Sequence, residues 1–140
     1  MKALPRTALV VDDDPDIRRI LSAWLTRLGF TVRNASDGKS ALTALHERPP
    51  ALLCLDLMLP ECSGYDVCEH LQHTEGLREV RVLVLSARSL PEDRALAEEL
   101  GARSYLMKPF THADFVRHVN DALADESPAT GEDTLGGGLV

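Results

Sequence analysis

The amino-acid sequence predicts an α/β domain in which helices cover a parallel sheet, and three observations predict it. Short apolar runs recur five times along 140 residues, separated by segments with helical spacing, the alternation expected of βα units. Gly and Pro punctuate the joints, and several runs stop on an acidic or hydroxyl residue. A composition of 44% hydrophobic and 26% charged residues is ordinary for a globular chain, and the length suits one core.

The first run, Thr7-Ala8-Leu9-Val10-Val11, stops abruptly at Asp12-Asp13-Asp14. Pro15 suits the first position of a helix, and Asp14 is placed to cap it. Ile17, Ile20, Leu21, Trp24, Leu25 and Leu28 follow at helical spacing until Gly29. Trp24 belongs to that stripe and reads as core rather than as a ligand platform. Residues 30–35 read as a second strand, with Asp37-Gly38 as turn and cap. A helix at 39–47 presents Ala41, Leu42 and Leu45, and Pro49-Pro50 ends it. The third run, 51–55, is continuously apolar and ends on Asp56. Pro60 and Gly64 break the chain before a helix at 65–73. A fourth run at 82–85 leads to Ser86-Ala87, and a helix at 92–100 closes at Gly101. The fifth strand, 104–107, runs into Lys108-Pro109-Phe110, and a last helix at 111–124 buries Phe115, Val119 and Leu123. The organisation expected is an extension at 1–6, one domain at 7–124, and a flexible tail or linker at 125–140. That last stretch has too little apolar surface to offset the entropy of ordering.

A formal charge of −7 argues against non-specific binding to nucleic acid or to an anionic membrane. No apolar run approaches the ~20 residues of a bilayer-spanning helix. The first residues lack the apolar core of a signal peptide, so a cytoplasmic location is the default expectation. Cys54, Cys62 and Cys68 form neither a CxxC pair nor an even set. Cys54 reads as a small buried hydrophobe, and nothing electropositive clusters in sequence near the other two. His70 and His73 lie one turn apart, but no third ligand is evident, so a solvated helix face is expected. The remaining histidines show no spacing of interest.

In a parallel sheet, functional groups gather beyond the carboxyl ends of the strands. There the runs place Asp12 and Asp13, Asp56, Ser86 and Lys108. Taken singly, an Asp at a strand end is ordinarily a turn residue and a Lys is ordinarily solvated. Together, at one edge of five βα units, they make a site. Three carboxylates in one place repel, and demand either raised pKa values or a cation. An oxygen-only donor set suits Mg²⁺. A carboxylate is also a competent nucleophile for phosphoryl transfer. Lys108 and the Ser86 hydroxyl can each meet a phosphoryl oxygen, and backbone N–H groups after Asp56 a third.

These residues closely resemble the signature of the response regulator receiver domain of two-component signalling. The match runs through Val10-Val11-Asp12-Asp13-Asp14-Pro15, Leu55-Asp56-Leu57-Met58-Leu59-Pro60 with Gly64, Val84-Leu85-Ser86-Ala87, and Gly101-Ala102 to Tyr105-Leu106-Met107-Lys108-Pro109-Phe110. It covers residues 7–124. The resemblance implies a flavodoxin-like (βα)5 fold of strand order 2-1-3-4-5 with helices on both faces. It implies that Asp56 is phosphorylated from the phosphohistidine of a sensor histidine kinase or phosphotransfer protein. The chain would then be a switch with self-catalysed transfer and autodephosphorylation only, not an enzyme acting on other substrates.

Asp13 would bind Mg²⁺ directly, with Asp56 and the Met58 carbonyl, and Asp12 through water; Mn²⁺ is the alternative ion. Ser86, followed by Ala87, is similar to the switch hydroxyl. Lys108 is similar to the phosphate-pairing lysine, and its bond to Pro109 is expected to be cis. Tyr105 resembles the aromatic switch residue that turns inward when Ser86 moves; an ordinary half-exposed tyrosine is the other reading. Met58 and Arg88, two residues after Asp56 and Ser86, would tune access. Phosphorylation adds about −1.5 to −2 charge, and residues 88–124 form the expected output face. That face would meet a downstream protein or an output domain, with a phosphorylation-dependent dimer as a further expectation.

Some features depart from the family pattern. Ala51 stands where an Asp is frequent, with a structural effect expected, and Ser86 where many relatives have Thr. The last helix lacks the arginine-rich pattern of the winged-helix transcription-factor subfamily. A haloacid-dehalogenase-type phosphatase would need an acid where Met58 stands, and a flavin-binding module would find a phosphate repelled by Asp12-Asp13-Asp14. A degenerate receiver would lack part of the intact Asp12, Asp13, Asp56, Ser86 and Lys108 set. A stand-alone regulator and a receiver cut from a longer chain are equally compatible with the sequence.

Overall fold

Strands that are apolar at nearly every position must bury both faces, and the structure, a computed structural model, arranges them so. It describes residues 6–88 and 90–124; the expected tail at 125–140 and residues 1–5 of the expected extension lie outside these. Five βα units follow in order: β1 (Thr7–Val11), α1 (Pro15–Arg27), β2 (Thr31–Ala35), α2 (Gly38–Glu47), β3 (Leu52–Asp56), α3 (Gly64–Gln72), β4 (Arg81–Ser86), α4 (Pro91–Glu99), β5 (Ser104–Met107) and α5 (His112–Leu123). The sheet is parallel throughout, in the order β2-β1-β3-β4-β5, as expected.

Because side chains alternate across a strand, each strand supplies both cores. Leu9, Val11, Leu53, Leu55, Val82 and Val84 face α2, α3 and α4. Ala8, Val10, Leu52, Cys54, Leu83 and Leu85 face α1 and α5. Trp24 packs in the second core beside Phe115 and Phe110, with centroids 5.5 Å and 6.4 Å away, so it is core as expected. Ile20 is a correction: it is 43% exposed, because it falls on the flank of the stripe that Leu21 and Leu25 bury. Leu123 is half-buried, and Ala122 takes the buried position in that turn.

Local chemistry sets the ends. Asp14 and Asp37 accept from Asp16 N and Ser40 N to cap α1 and α2. α1 and α4 close alike: Phe30 N donates to Leu25 O and Ala102 N to Ala97 O, across Gly29 and Gly101 at φ 97° and 99°, the left-handed closure glycine permits. The first of these makes Phe30 the closing residue of α1, so β2 starts one residue later than expected. β3 and β4 run on to include Asp56 and Ser86, which ties both candidate site side chains to the sheet.

Candidate functional site

The parallel register delivers the site. Val11 pairs with Leu55, Asp56 with Leu85 and Ser86 with Met107, so the residues that end four adjacent strands share one edge. Asp12, just past β1, is fully buried, Asp56 is 4% exposed, and Ser86 is fully buried. Buried polar groups must be paired, and these are. Asp12 accepts from Asp14 N at 2.9 Å and from Lys108 Nζ at 2.8 Å. Asp56 accepts from Met58 N at 3.0 Å and from the same Lys108 Nζ at 3.3 Å. Asp13 stays exposed. Asp12, Asp13 and Asp56 each offer an oxygen within 4.8 Å of the others.

The loop after Asp56 can approach only because Gly64 has no side chain. A Cβ there would lie 2.6 Å from the Asp56 carbonyl oxygen and 2.7 Å from Leu57 Cα. The α2 N-terminus closes on the same loop, since a Cβ at Gly38 would lie 2.1 Å from Cys62 O.

Burial raises the Asp56 carboxyl above the ordinary range; the Met58 N–H and the Lys108 ammonium oppose that shift, and the Asp12 charge adds to it. Burial works against the charge on Lys108, yet the carboxylates of Asp12 and Asp56 outweigh it and hold the ammonium more firmly protonated than usual. Lys108 N also donates to Ser86 O at 2.7 Å, and the Lys108–Pro109 bond is cis, as expected from the resemblance.

A second set of contacts runs outward from Ser86. Its Oγ accepts from Arg88 N at 3.0 Å, and Tyr105 donates its hydroxyl to Arg88 O at 3.0 Å. Tyr105 is buried, with the Arg94 guanidinium 4.8 Å above its ring; the half-exposed alternative is thereby corrected. The Arg88 guanidinium turns to Asp93, with Nε to Oδ2 at 3.0 Å, and Asp93 Oδ1 accepts from the Tyr65 hydroxyl at 2.8 Å. Ala87 is exposed, and so is the Met58 side chain, at 49%.

The expected residues thus gather at one edge, with two groups that sequence reasoning missed. Arg18 donates to Asp12 O at 2.7 Å from the first turns of α1, and the Tyr65–Asp93 pair joins α3 to α4. Arg18 was legible in principle, one helical turn after the capping Asp14; the second pair, 28 residues apart, was not. The histidines need a correction. His70 meets His46 of α2, Nε2 to Nε2 at 2.8 Å, so it is not simply solvated. Cys54 is buried as expected, with its thiol pushed up to about 12 by burial.

Comparison with known proteins identifies the architecture's relatives. Residues 8–120 match the family model of the response regulator receiver domain. The chain is 37% identical over 123 residues to the transcriptional regulatory protein GltR of Pseudomonas aeruginosa, covering 88% of this chain and 51% of that protein. It is 39% identical over 131 residues to the DNA-binding response regulator MtrA of Mycolicibacterium smegmatis, covering 92% and 56%. The chain therefore spans about half the length of these curated relatives. Among solved structures, the BeF3-activated DrrB receiver domain superposes with a TM-score of 0.76 at 32% identity, covering 86% of this chain and 98% of that one. The chemotaxis protein CheY4 of Vibrio cholerae, at 24% identity and a TM-score of 0.80 over 86% and 100% of the chains, shares the fold.

Proposed function

The chain belongs to the response regulator receiver family, and from that premise we propose that Asp56 is its phosphoacceptor, served by a sensor histidine kinase or phosphotransfer protein. The observation that carries this reading is the Lys108 ammonium, set between Asp12 at 2.8 Å and Asp56 at 3.3 Å. An Asp56 carboxylate oxygen attacks phosphorus while the P–N bond of the phosphohistidine breaks; the imidazole leaves with the electron pair, and an acyl phosphate remains. Lys108 then exchanges its hold on Asp56 for a phosphoryl oxygen, as a flexible point charge can. Ser86 Oγ accepts from Arg88 N, so its own proton stays available for a second phosphoryl oxygen. Backbone N–H groups of the loop after Asp56 serve the third.

The residues fit a divalent cation. Their side-chain donors are all carboxylate oxygens, and three aspartates against one lysine leave two negative charges, one divalent ion's worth. Asp13, Asp56 and the Met58 carbonyl would hold Mg²⁺, or Mn²⁺ in its place. Asp12, already engaged by Lys108 and Asp14 N, would act through water. Such an ion supplies charge neutralisation for the phosphoryl group and its acceptor.

Residues 7–124 form the receiver unit in this reading, with 1–6 and 125–140 as extension and tail or linker, in the cytoplasm. Met58 and Arg88 flank the entrance and tune the lifetime of the phosphorylated form. Withdrawal of the Ser86 hydroxyl toward the phosphoryl group releases Arg88 N, and Arg88 O is what Tyr105 holds. The change therefore reaches the α4-β5-α5 face, within residues 88–124, which meets a protein target, an output domain or a second copy. Among the described residues, no helix is long and apolar enough to cross a membrane.

Incubation with Mg²⁺ and acetyl phosphate, followed by intact mass spectrometry, tests the reading. One added phosphoryl group is expected, absent with EDTA and absent in Asp56→Asn. No adduct, together with no response to beryllofluoride, would overturn it.

A further inference from the structure

α2 and α3 pack side by side, and at their seam the Nε2 atoms of His46 and His70 lie 2.8 Å apart. The rings meet edge-on at 77°, with centroids 5.0 Å apart. His46 is exposed and His70 half-buried, so ions in solution reach the pair. A hydrogen bond between two neutral imidazoles needs one Nε2 to carry the proton and the other to present its lone pair. Moving that proton to Nδ1 of the same ring leaves two Nε2 lone pairs directed into the seam, with no proton gained or lost overall.

The spacing bears on which ion could bridge them. Two imidazole nitrogens in neighbouring positions of a square-planar or octahedral ion, each bonded at about 2.0 Å, stand roughly 2.8 Å apart. Tetrahedral coordination would need about 3.3 Å. The observed separation matches the first geometry, but with centroids 5.0 Å apart the two nitrogens face each other along the hydrogen bond, so both rings must tip about their side-chain torsions to converge on one ion. Imidazole donors suit Cu²⁺, Ni²⁺ and Zn²⁺ and do not suit Mg²⁺, so this pair and the carboxylate cluster would select different ions.

We propose that His46 and His70 form a second metal site, on the α2–α3 seam, for a divalent transition ion of tetragonal or octahedral preference, Cu²⁺ ahead of Ni²⁺. Water completes the coordination. The ion ties α2 to α3, and the formal charge of −7 favours its approach. This site is independent of the phosphoacceptor reading, and either can fail without the other.

The test uses the full chain in excess Mg²⁺, so that the carboxylate cluster is occupied, titrated with Ni²⁺ by calorimetry and with Cu²⁺ under electron paramagnetic resonance. One transition ion per chain is expected, with nitrogen hyperfine structure from two imidazoles in the Cu²⁺ spectrum. Affinity should fall at least tenfold in His46→Gln and in His70→Gln, both checked for folding by circular dichroism, and stay unchanged in His73→Gln. Unaltered affinity in the first two variants, or a Cu²⁺ spectrum lacking two nitrogen donors, would overturn the proposal.

Discussion

α4 and α5 flank the same edge strand, β5, from opposite faces of the sheet, and they are held by different physics. α5 is anchored by burial: Phe115, Val119 and Ala122 are inside, Phe115 stacks 6.0 Å from Phe110, and Thr111 with Asp114 closes a capping box. α4 buries only Ala97, has no side-chain cap at Leu90, and leaves Leu90 and Leu96 46% and 41% exposed. Its first turn is tethered instead by polar contacts, Asp93 to Arg88 and Asp93 to Tyr65. Burial is non-directional and costly to undo, whereas a partly exposed ion pair contributes on the order of 0–1 kcal/mol. The helix nearest the Ser86–Arg88 turn is therefore the one that can be repositioned at little cost, while α5 keeps the frame.

The largest effect should come from the anchored side. Phe115→Ala removes a fully buried ring and should cost about 3–5 kcal/mol, read as a lowered urea midpoint; a loss below about 1 kcal/mol would break the contrast. Thr111→Ala removes one half of the capping box and should cost about 1 kcal/mol by the same measurement. Asp93→Asn acts on the tethered side and should change global stability by less than about 1 kcal/mol. Its signature lies elsewhere. Burial, and then the Asp93 carboxylate, push the Tyr65 phenol up to about 12. Without that charge, Tyr65 should ionise at lower pH in an ultraviolet titration, still above the ordinary tyrosine range because burial remains. An unmoved titration would place the tether elsewhere.

The same contrast explains what the sequence made legible. The helices and most strands could be read because burial imposes a period on local sequence: two-sided apolar runs for β1, β3 and β4 and the Leu21–Leu25 type of stripe for helices. β2, which buries only Ala35, was placed by the Gly29 and Asp37-Gly38 breaks around it. The candidate site was legible for a related reason, since strand ends put Asp12, Asp56, Ser86 and Lys108 at one edge whatever the details of packing. Ile20 was misplaced because a stripe's width cannot be judged without knowing how the helix rolls against its sheet. The Arg88–Asp93–Tyr65 contacts and the His46–His70 pair remained hidden. Each joins side chains from different elements, and their meeting depends on helix placement to within an ångström or two. Arg18 is the exception, readable from its position one turn past the Asp14 cap.

Amide hydrogen exchange tests the central claim most directly, with and without beryllofluoride plus Mg²⁺, in the parent chain and in Asp56→Asn. The resting chain should exchange faster across α4 than across the buried turns of α5. Beryllofluoride should alter protection in the loops after β3 and β4, in α4 and in β5, leave the core of α5 unchanged, and do nothing in Asp56→Asn. Equal protection of the two helices, or the same response with and without the Asp56 carboxylate, would contradict the account.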